Sequence, residues 1–98
     1  MASSKSYLEY VLGQLSDLDE ITYRPMMGEY LLYYHGVLFG GIYDNRLLVK
    51  RTKRNAQYNL TEVIPSPHAK PMYCLEDLDN REMLAIVVIK TASELVRD

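Results

Sequence analysis

The stretch GVLFGGIYDNRLLVKRTKR, residues 36–54, combines a glycine pair, an Asp-Asn corner and a run of basic residues. Two interpretations of this stretch are open at the outset. Glycines followed by lysine and arginine are typical of a loop that holds a phosphate group through backbone N–H groups at the start of a helix. They are also typical of two strands that fold back on each other and end in a basic turn.

The residues around the glycine pair favour the strand interpretation. Gly40 and Gly41 stand inside an apolar segment, and no helix follows them at the offset that a phosphate-binding loop requires. The Asp-Asn corner suits the positive φ of a tight hairpin turn, as does the His-Gly pair one strand earlier. The stretch therefore predicts strands over about 37–43 and 46–50. The glycine pair is expected to mark a β-bulge or a place where a helix packs closely.

The neighbouring segments extend this antiparallel pattern. EYLLYY predicts a strand over about 30–35, and ITYRPMM predicts another that lies at an edge or carries a bulge, because Pro25 cannot donate a ladder hydrogen bond. MYCLE predicts a short strand later in the chain. Between them, the polar segment 51–64 is ambiguous and could contain a short helix, whereas PSPHAKP, residues 65–71, predicts an irregular loop.

Helical periodicity appears at both ends of the chain. An apolar stripe begins at Leu8 and predicts a first helix, capped by Ser3 or Ser4. A last helix is predicted over about 80–97, capped by Asp79 with Glu82 three residues later. Its buried face is expected to comprise Leu84, Ala85, Val88, Ile89, Ala92, Leu95 and Val96. A second apolar set, Met83, Ile86 and Val87, is expected to pack on the first helix or to form a partner surface.

This order of elements predicts one α+β domain over residues 1–98. We expect a two-layer sandwich, with an antiparallel sheet of about five strands and the N- and C-terminal helices packed on one face. The longest apolar run, MLAIVVI, is too short to cross a bilayer, and the N-terminus lacks the apolar core of a signal peptide. We therefore expect a cytoplasmic protein without a membrane segment. The single cysteine, Cys74, excludes an internal disulfide and is expected to be a buried strand residue.

The residues that could carry catalysis are scattered. His35 falls at a hairpin turn, and His68 follows Ser66 in the proline-rich loop without an orienting acid, which is poor triad geometry. The carboxylates around Asp77 precede a helix, where negative charge favours the positive end of the helix dipole. We therefore expect no enzyme, no catalytic residues, no cofactor and no metal site.

The net charge of −2 conceals an uneven distribution. Residues 1–45 have net charge −4 and residues 46–70 have net charge +5. One interpretation is a solvated loop; the other is a surface for an anionic partner, including nucleic acid. The candidate contacts in the second case are Arg46, Lys50, Arg51, Lys53 and Arg54. The tyrosines give little support to base stacking, because strand alternation places Tyr30 and Tyr34 on one face and Tyr33 on the other.

Residues 23–50, YRPMMGEYLLYYHGVLFGGIYDNRLLVK, resemble the first hairpins of the N-terminal domain of TfoX/Sxy-type proteins. That family has an Arg-x-Met-Phe-Gly element, then a Gly-x-x-Phe-Gly hairpin and an Asp-x-x-Leu-x-x-Lys corner. The matching positions are Arg24, Met26, Gly28, Gly36, Phe39, Gly40, Asp44, Leu47 and Lys50. Met27 departs from the pattern, because phenylalanine is usual there. The segment AKPMYCLEDLDNREML is similar to the later strand and helix start of short stand-alone members.

The resemblance implies a two-layer domain with an antiparallel sheet, in agreement with the pattern of elements. It also implies a non-enzymatic protein-interaction or regulatory module, related to regulators of natural competence that act through a transcription activator. The longer regulators carry a second domain resembling helix-hairpin-helix modules, and we expect this chain to be a short stand-alone member without it. We expect a protein partner, such as a transcription regulator, and a homodimer. The alternative is a nucleic-acid-associated accessory protein that uses the basic segment 46–54.

Overall fold

The computed structural model describes residues 2–96, which form one six-stranded antiparallel sheet and two helices. The elements are α1 (Lys5–Gln14), β1 (Ile21–Met26), β2 (Glu29–Tyr34), β3 (Val37–Ile42), β4 (Leu47–Lys50), a 3₁₀ turn (Ala56–Tyr58), β5 (Thr61–Val63), β6 (Met72–Leu75) and α2 (Arg81–Leu95). The strand order across the sheet is β1-β2-β3-β4-β6-β5. The predicted α+β class and antiparallel sheet are confirmed. The sheet has six strands rather than about five, because the polar segment after β4 contributes β5 at one edge.

The first four strands form a meander whose tight turns contain residues with positive φ. His35 and Gly36 join β2 to β3 with φ of 50° and 77°, and Asp44 and Asn45 join β3 to β4 with φ of 53° and 54°. Both turns match the predicted hairpins, because these residue types tolerate the left-handed region. β1 lies at the edge of the sheet, where the missing N–H of Pro25 costs no ladder hydrogen bond within the sheet.

The glycine pair lies in the middle of β3, so the phosphate-loop interpretation is wrong. A Cβ atom on Gly40 would overlap the carbonyl oxygen of Leu48 in β4. A Cβ on Gly41 would lie 2.5 Å from the carbonyl oxygen of Tyr30 and 3.0 Å from the ring of Tyr43. The β2–β3 register also shifts between Leu32 and Tyr33, which is the predicted bulge. The pair thus allows close approach of neighbouring backbone.

The core lies between one face of the sheet, here called the inner face, and both helices. The strands contribute Leu32, Phe39, Ile42, Leu47 and Val49, all fully buried. Leu8, Val11 and Leu15 cover them from the first helix and its C-terminal end, and Leu84, Val87 and Val88 cover them from α2. Tyr30 and Tyr34 pack against this core, as their alternation predicted. At the N-terminus of α1, the hydroxyl of Ser4 accepts a hydrogen bond from the backbone N–H of Tyr7 at 3.1 Å.

Two details of the predicted last helix need correction. The cap is Asn80 rather than Asp79, because the Asn80 side chain accepts a hydrogen bond from the N–H of Met83 at 3.1 Å. The buried face of α2 is also rotated from the predicted one. Val87 and Thr91 are fully buried, whereas Ile89 is 41% exposed. No helix among residues 2–96 is long and apolar enough to span a bilayer.

Candidate functional site

The face of the sheet opposite the helices, here called the outer face, is only partly covered. Gly41, Leu48 and Cys74 are paired across β3, β4 and β6 and share this face. All three are buried, although they lie outside the main core cluster. Tyr43 contributes to this cover, since its ring lies against Gly41. The outer face therefore carries a small apolar layer of its own.

An open cavity of about 690 Å³ runs along this face, and we call it the outer-face groove. It is lined at one end by Met26, Met27, Glu29 and Tyr43, and at the other by Lys50, Arg51, Lys70, Met72 and Leu95 together with the proline loop (residues 65–71). Its strand residues belong to β1, β2, β4 and β6. A volume of this size lies within the range of natural ligand-binding clefts.

Exposed methionines dominate one end of the groove. Met27 occupies the β1–β2 turn with φ of 51° and is 97% exposed, and Met26 is 40% exposed. Tyr43 faces them across the groove and is half-buried, and this burial, with a smaller contribution from the Glu29 carboxylate, raises the pKa of its phenol. Methionine side chains are flexible and polarizable, so they suit a surface that adapts to a partner.

A polar network fixes the methionine end in place. The Glu29 carboxylate accepts hydrogen bonds from the Ser3 hydroxyl and from the backbone N–H of Asp44, the latter at 3.1 Å. The N–H of Asn45 donates to the Ser3 hydroxyl at 3.0 Å, and the N–H of Ser3 donates to the carbonyl of Gly28 at 2.9 Å. The segment before α1 therefore ties the β1–β2 turn to the β3–β4 turn. The Glu29 carboxylate takes part in this network as a hydrogen-bond acceptor.

The other end of the groove carries positive charge. Arg51 is neutralised by an ion pair with Glu62 on β5. Lys50 is half-buried on β4 and Lys70 is exposed on the proline loop. Within residues 2–96, neither lysine has a carboxylate oxygen within ion-pairing distance. The groove thus combines a mainly apolar lining with two cations that have no described counter-ion.

The rest of the basic segment forms a turn that is tied to α2. The Glu94 carboxylate accepts hydrogen bonds from the backbone N–H groups of Lys53 at 3.0 Å and of Arg54 at 2.8 Å, and these two bonds lower its pKa. The Arg54 guanidinium donates to the Ser93 hydroxyl at 3.0 Å. Beneath the turn, the side-chain amide of the fully buried Asn55 donates hydrogen bonds to the carbonyl of Lys50 and to the hydroxyl of Thr91 on α2. This turn has a structural role in joining β4 to α2.

The five basic residues predicted as an anion contact are therefore divided. Arg46 precedes β4 and donates from Nε to the carbonyl of Tyr43 at 3.4 Å, at the end of the strand opposite Lys50. Lys50 and Arg51 line the groove, whereas Lys53 and Arg54 lie on the α2-linked turn. The structure brings neighbours together in pairs but does not place the five residues in one patch.

The predicted partner surface on α2 is also divided. Met83 and Ile86 are 37% and 39% exposed, and Ile89 extends this strip. Val87 is fully buried in the core, so its side chain cannot contribute to an external contact. A homodimer through the exposed strip stays a prediction.

Outside the groove, one cluster of titratable side chains is held by contacts among its own members. Asp19, Glu20 and His35 form an exposed cluster whose ligand atoms all lie within 4.8 Å of one another. The His35 ring bonds to the Asp19 carboxylate at 3.1 Å and to that of Glu20 at 3.3 Å, so the three side chains join the start of β1 to the β2–β3 turn. Cys74 is buried as predicted, and burial is the main cause of the raised pKa of its thiol.

Sequence reasoning missed most of the groove. The sequence assigns Met26, Met27 and Met72 only to strands, a turn or the family pattern, and it offers Tyr43 only as one of the tyrosines that could stack on bases. One signal was available: Met27 places a large apolar side chain at a tight turn. A side chain at a tight turn faces water, so a large apolar residue there indicates either a contact with another molecule or an aggregation liability.

Two comparisons with known proteins identify the family of this chain. The profile of the TfoX N-terminal domain matches residues 13–71. The chain is also similar to an uncharacterized 12.7 kDa protein in the trpE 5' region of Spirochaeta aurantia, with 31% identity over 80 residues. That match covers 80% of this chain and 70% of the relative. The chain belongs to the TfoX N-terminal domain family.

Proposed function

We propose that this chain is a non-enzymatic, cytoplasmic protein-interaction module of regulatory function, which contacts its partner through the outer-face groove. The observation that carries this proposal is an open, mainly apolar groove with a 97% exposed methionine at its edge. Such exposed apolar surface is costly in water and is typical of interaction sites. The Met26–Met27 end supplies adaptable contact area, and the polar network around Glu29 holds it in a fixed position.

The positions that carry the family resemblance support the same surface. Most of them have a role in the fold: the glycines and Asp44 serve turns or close backbone contacts, and Phe39 and Leu47 are core residues. Three others, Arg24, Met26 and Lys50, have no such role. Arg24 lies over the ring of Tyr33 at 6.0 Å on the outer face, and Met26 and Lys50 line the groove. A function on the outer face explains why these residue types are present.

Membership of the TfoX N-terminal domain family supports a regulatory role. The partner that we propose is a protein, such as a transcription regulator. In this proposal the basic turn at Lys53 and Arg54 supports the fold, and nucleic acid is not the primary ligand.

A capture experiment with two matched variants tests the surface. Met27→Lys places a charge at the groove, whereas Ile86→Lys makes the same change on the exposed strip of α2, where the lysine stem can still cover apolar surface. The tagged wild-type chain is incubated with a cytoplasmic extract of the cells that produce it. It should retain a specific protein from this extract. Ile86→Lys should retain the same protein and Met27→Lys should lose it. Binding of the purified partner, measured by calorimetry, should follow the same order.

The converse pattern would contradict the proposal. If Ile86→Lys abolishes capture and Met27→Lys does not, the partner surface is the α2 strip. If the wild type retains no protein above a tag-only control, the interaction function itself is wrong. Circular dichroism of both variants establishes that the fold is kept.

A further inference from the structure

We propose that the groove binds an extended acidic segment of a partner protein, about seven residues long. In this arrangement an apolar side chain of the segment lies at the Met27 end and its carboxylates lie at the Lys50–Lys70 end. The inference rests on the proposed interaction function and adds the chemistry, length and direction of the bound segment.

The charge of the groove selects an acidic occupant. Lys50 and Lys70 line it without an ion-pair partner among residues 2–96, whereas Arg51 is already paired with Glu62. The one carboxylate at the opposite end, Glu29, accepts hydrogen bonds from Ser3 and Asp44. A bound carboxylate near the lysines would therefore gain favourable interactions, whereas a cation at the same end would be repelled.

The sheet sets the length of the segment. The groove passes from Met26 on β1 to Met72 on β6, and these strands are separated by β2, β3 and β4. Four intervals of about 4.8 Å give roughly 19 Å across the strands, and the register places Met72 about four residues, roughly 13 Å, along β6 from the level of Met26. The diagonal is therefore roughly 23 Å, which an extended chain covers with about seven residues. An α-helix would need about 15 residues for the same span, so an extended segment is the shortest one that reaches both ends.

The lining sets the direction. Apolar side chains line both ends of the groove, but the two lysines lie only at the proline-loop end. The opposite end has the Glu29 carboxylate, and its Met26, Met27 and Tyr43 can surround one large apolar side chain. A segment that has an apolar residue at one end and carboxylates at the other matches the two ends of the groove. This separation distinguishes the proposed ligand from a uniformly charged polymer such as nucleic acid.

Selection of random heptapeptides displayed on phage tests this inference on the full chain. We expect the enriched peptides to carry an apolar residue at one end and Asp or Glu at the other. For the best fluorescein-labelled peptide, Lys50→Gln with Lys70→Gln should weaken binding about three- to tenfold, as expected for two partly exposed ion pairs. The matched control, Lys53→Gln with Arg54→Gln, removes the same charge outside the groove and should leave the affinity unchanged.

Each other outcome overturns the inference. Enrichment of basic or purely apolar peptides would do so, as would equal loss of affinity in the two double variants. Displacement of the peptide by a random-sequence single-stranded oligonucleotide would assign the groove to nucleic acid. If no acidic peptide is enriched while the wild type still captures its cytoplasmic partner through Met27, this inference fails and the proposed function stands. If the capture experiment and the peptide selection both fail, the proposed function and this inference are both wrong.

Discussion

The turn after β4 and the adjoining end of the outer-face groove are equally basic in sequence, yet the structure uses them in opposite ways. In the turn, residues 51–55, two backbone N–H groups are bonded to Glu94 on α2, and the side chains of Thr52 and Asn55 are buried. In the groove, apolar side chains are exposed and two lysines have no ion-pair partner among residues 2–96. The two regions meet at Lys50, whose carbonyl accepts a bond from Asn55 and whose side chain lines the groove.

Asn55 shows how completely the turn is satisfied. Its Nδ2 group donates to the carbonyl of Lys50 and to the Thr91 hydroxyl, both at 2.8 Å. Its Oδ1 atom accepts from the N–H of Thr52 at 2.9 Å, and its own N–H donates to the Thr52 hydroxyl at 3.1 Å. Thr91 in turn donates to the carbonyl of Val87 at 2.7 Å. A buried polar group that is fully bonded stabilises the fold and leaves nothing for a ligand.

A cluster of basic residues in a sequence therefore does not by itself indicate a binding site. The backbone N–H groups and the buried side chains of the basic turn make their hydrogen bonds within the fold. The groove has surface that no described part of the chain covers, and this is the property that a partner can use.

The largest expected effect is on stability. Asn55→Ala leaves the Thr52 N–H, the Lys50 carbonyl and the Thr91 hydroxyl without their buried partner. We expect the free energy of unfolding to fall by about 3 kcal/mol, because several buried polar groups lose hydrogen bonds together. Urea denaturation followed by circular dichroism measures this loss.

Gln57→Ala is the matched control, since it removes an exposed amide in the same segment with one bond to the carbonyl of Arg54. It should change stability by less than about 0.5 kcal/mol. Equal effects of the two substitutions would mean that the turn is not the structural element that the comparison requires.

A smaller effect is expected in the dependence of stability on pH. The backbone N–H groups of Lys53 and Arg54 lower the pKa of Glu94 from its ordinary value of 4.5. A lowered folded-state pKa means that the carboxylate contributes stability at neutral pH. That contribution is lost as the pH falls below about 4.5 and through the folded-state pKa. Glu94→Gln should therefore lower the urea midpoint at neutral pH, and the difference from wild type should shrink in acid.

Glu9→Gln on α1 provides the control, because Glu9 is exposed and makes no described side-chain bond. Its urea midpoint should follow that of the wild type at every pH. A difference between wild type and Glu94→Gln that stays constant down to about pH 3 would contradict the role assigned to the carboxylate.

Much of the fold could be predicted because local signals agreed with the tertiary structure. The hairpin turns are determined by residues that tolerate positive φ, and the edge position of β1 follows from Pro25. The glycine pair was correctly placed in a strand because its neighbours are apolar. These features depend on chemistry within a few residues, which a sequence displays directly.

The remaining features depend on distant contacts. The run from Met83 to Ile89 is apolar on all sides, so periodicity could not show that Val87 faces the core and Ile89 faces water. Thr91 is buried because Asn55, 36 residues away in the chain, satisfies its hydroxyl. The strand β5 is short and polar and exists because β6 pairs with it.

The groove was unpredictable for the same reason. Its two ends come from the β1–β2 turn and the proline loop, and only the folded sheet brings them to one face. The sequence shows the methionines, but it does not show what lies opposite them.

The smallest expected effect concerns nucleic acid. Arg46 lies at the far end of β4 and Arg51 is paired with Glu62, so the cations of the basic segment do not form one patch that could neutralise successive phosphates. We expect weak binding to random duplex DNA at low salt and little change on Lys53→Gln with Arg54→Gln, measured by fluorescence anisotropy. A steep loss of affinity with salt, made shallower by this double substitution, would show that several counterions are released at the turn. That result would support the nucleic-acid alternative, because the charge of the turn would then have a ligand and the contrast with the groove would disappear.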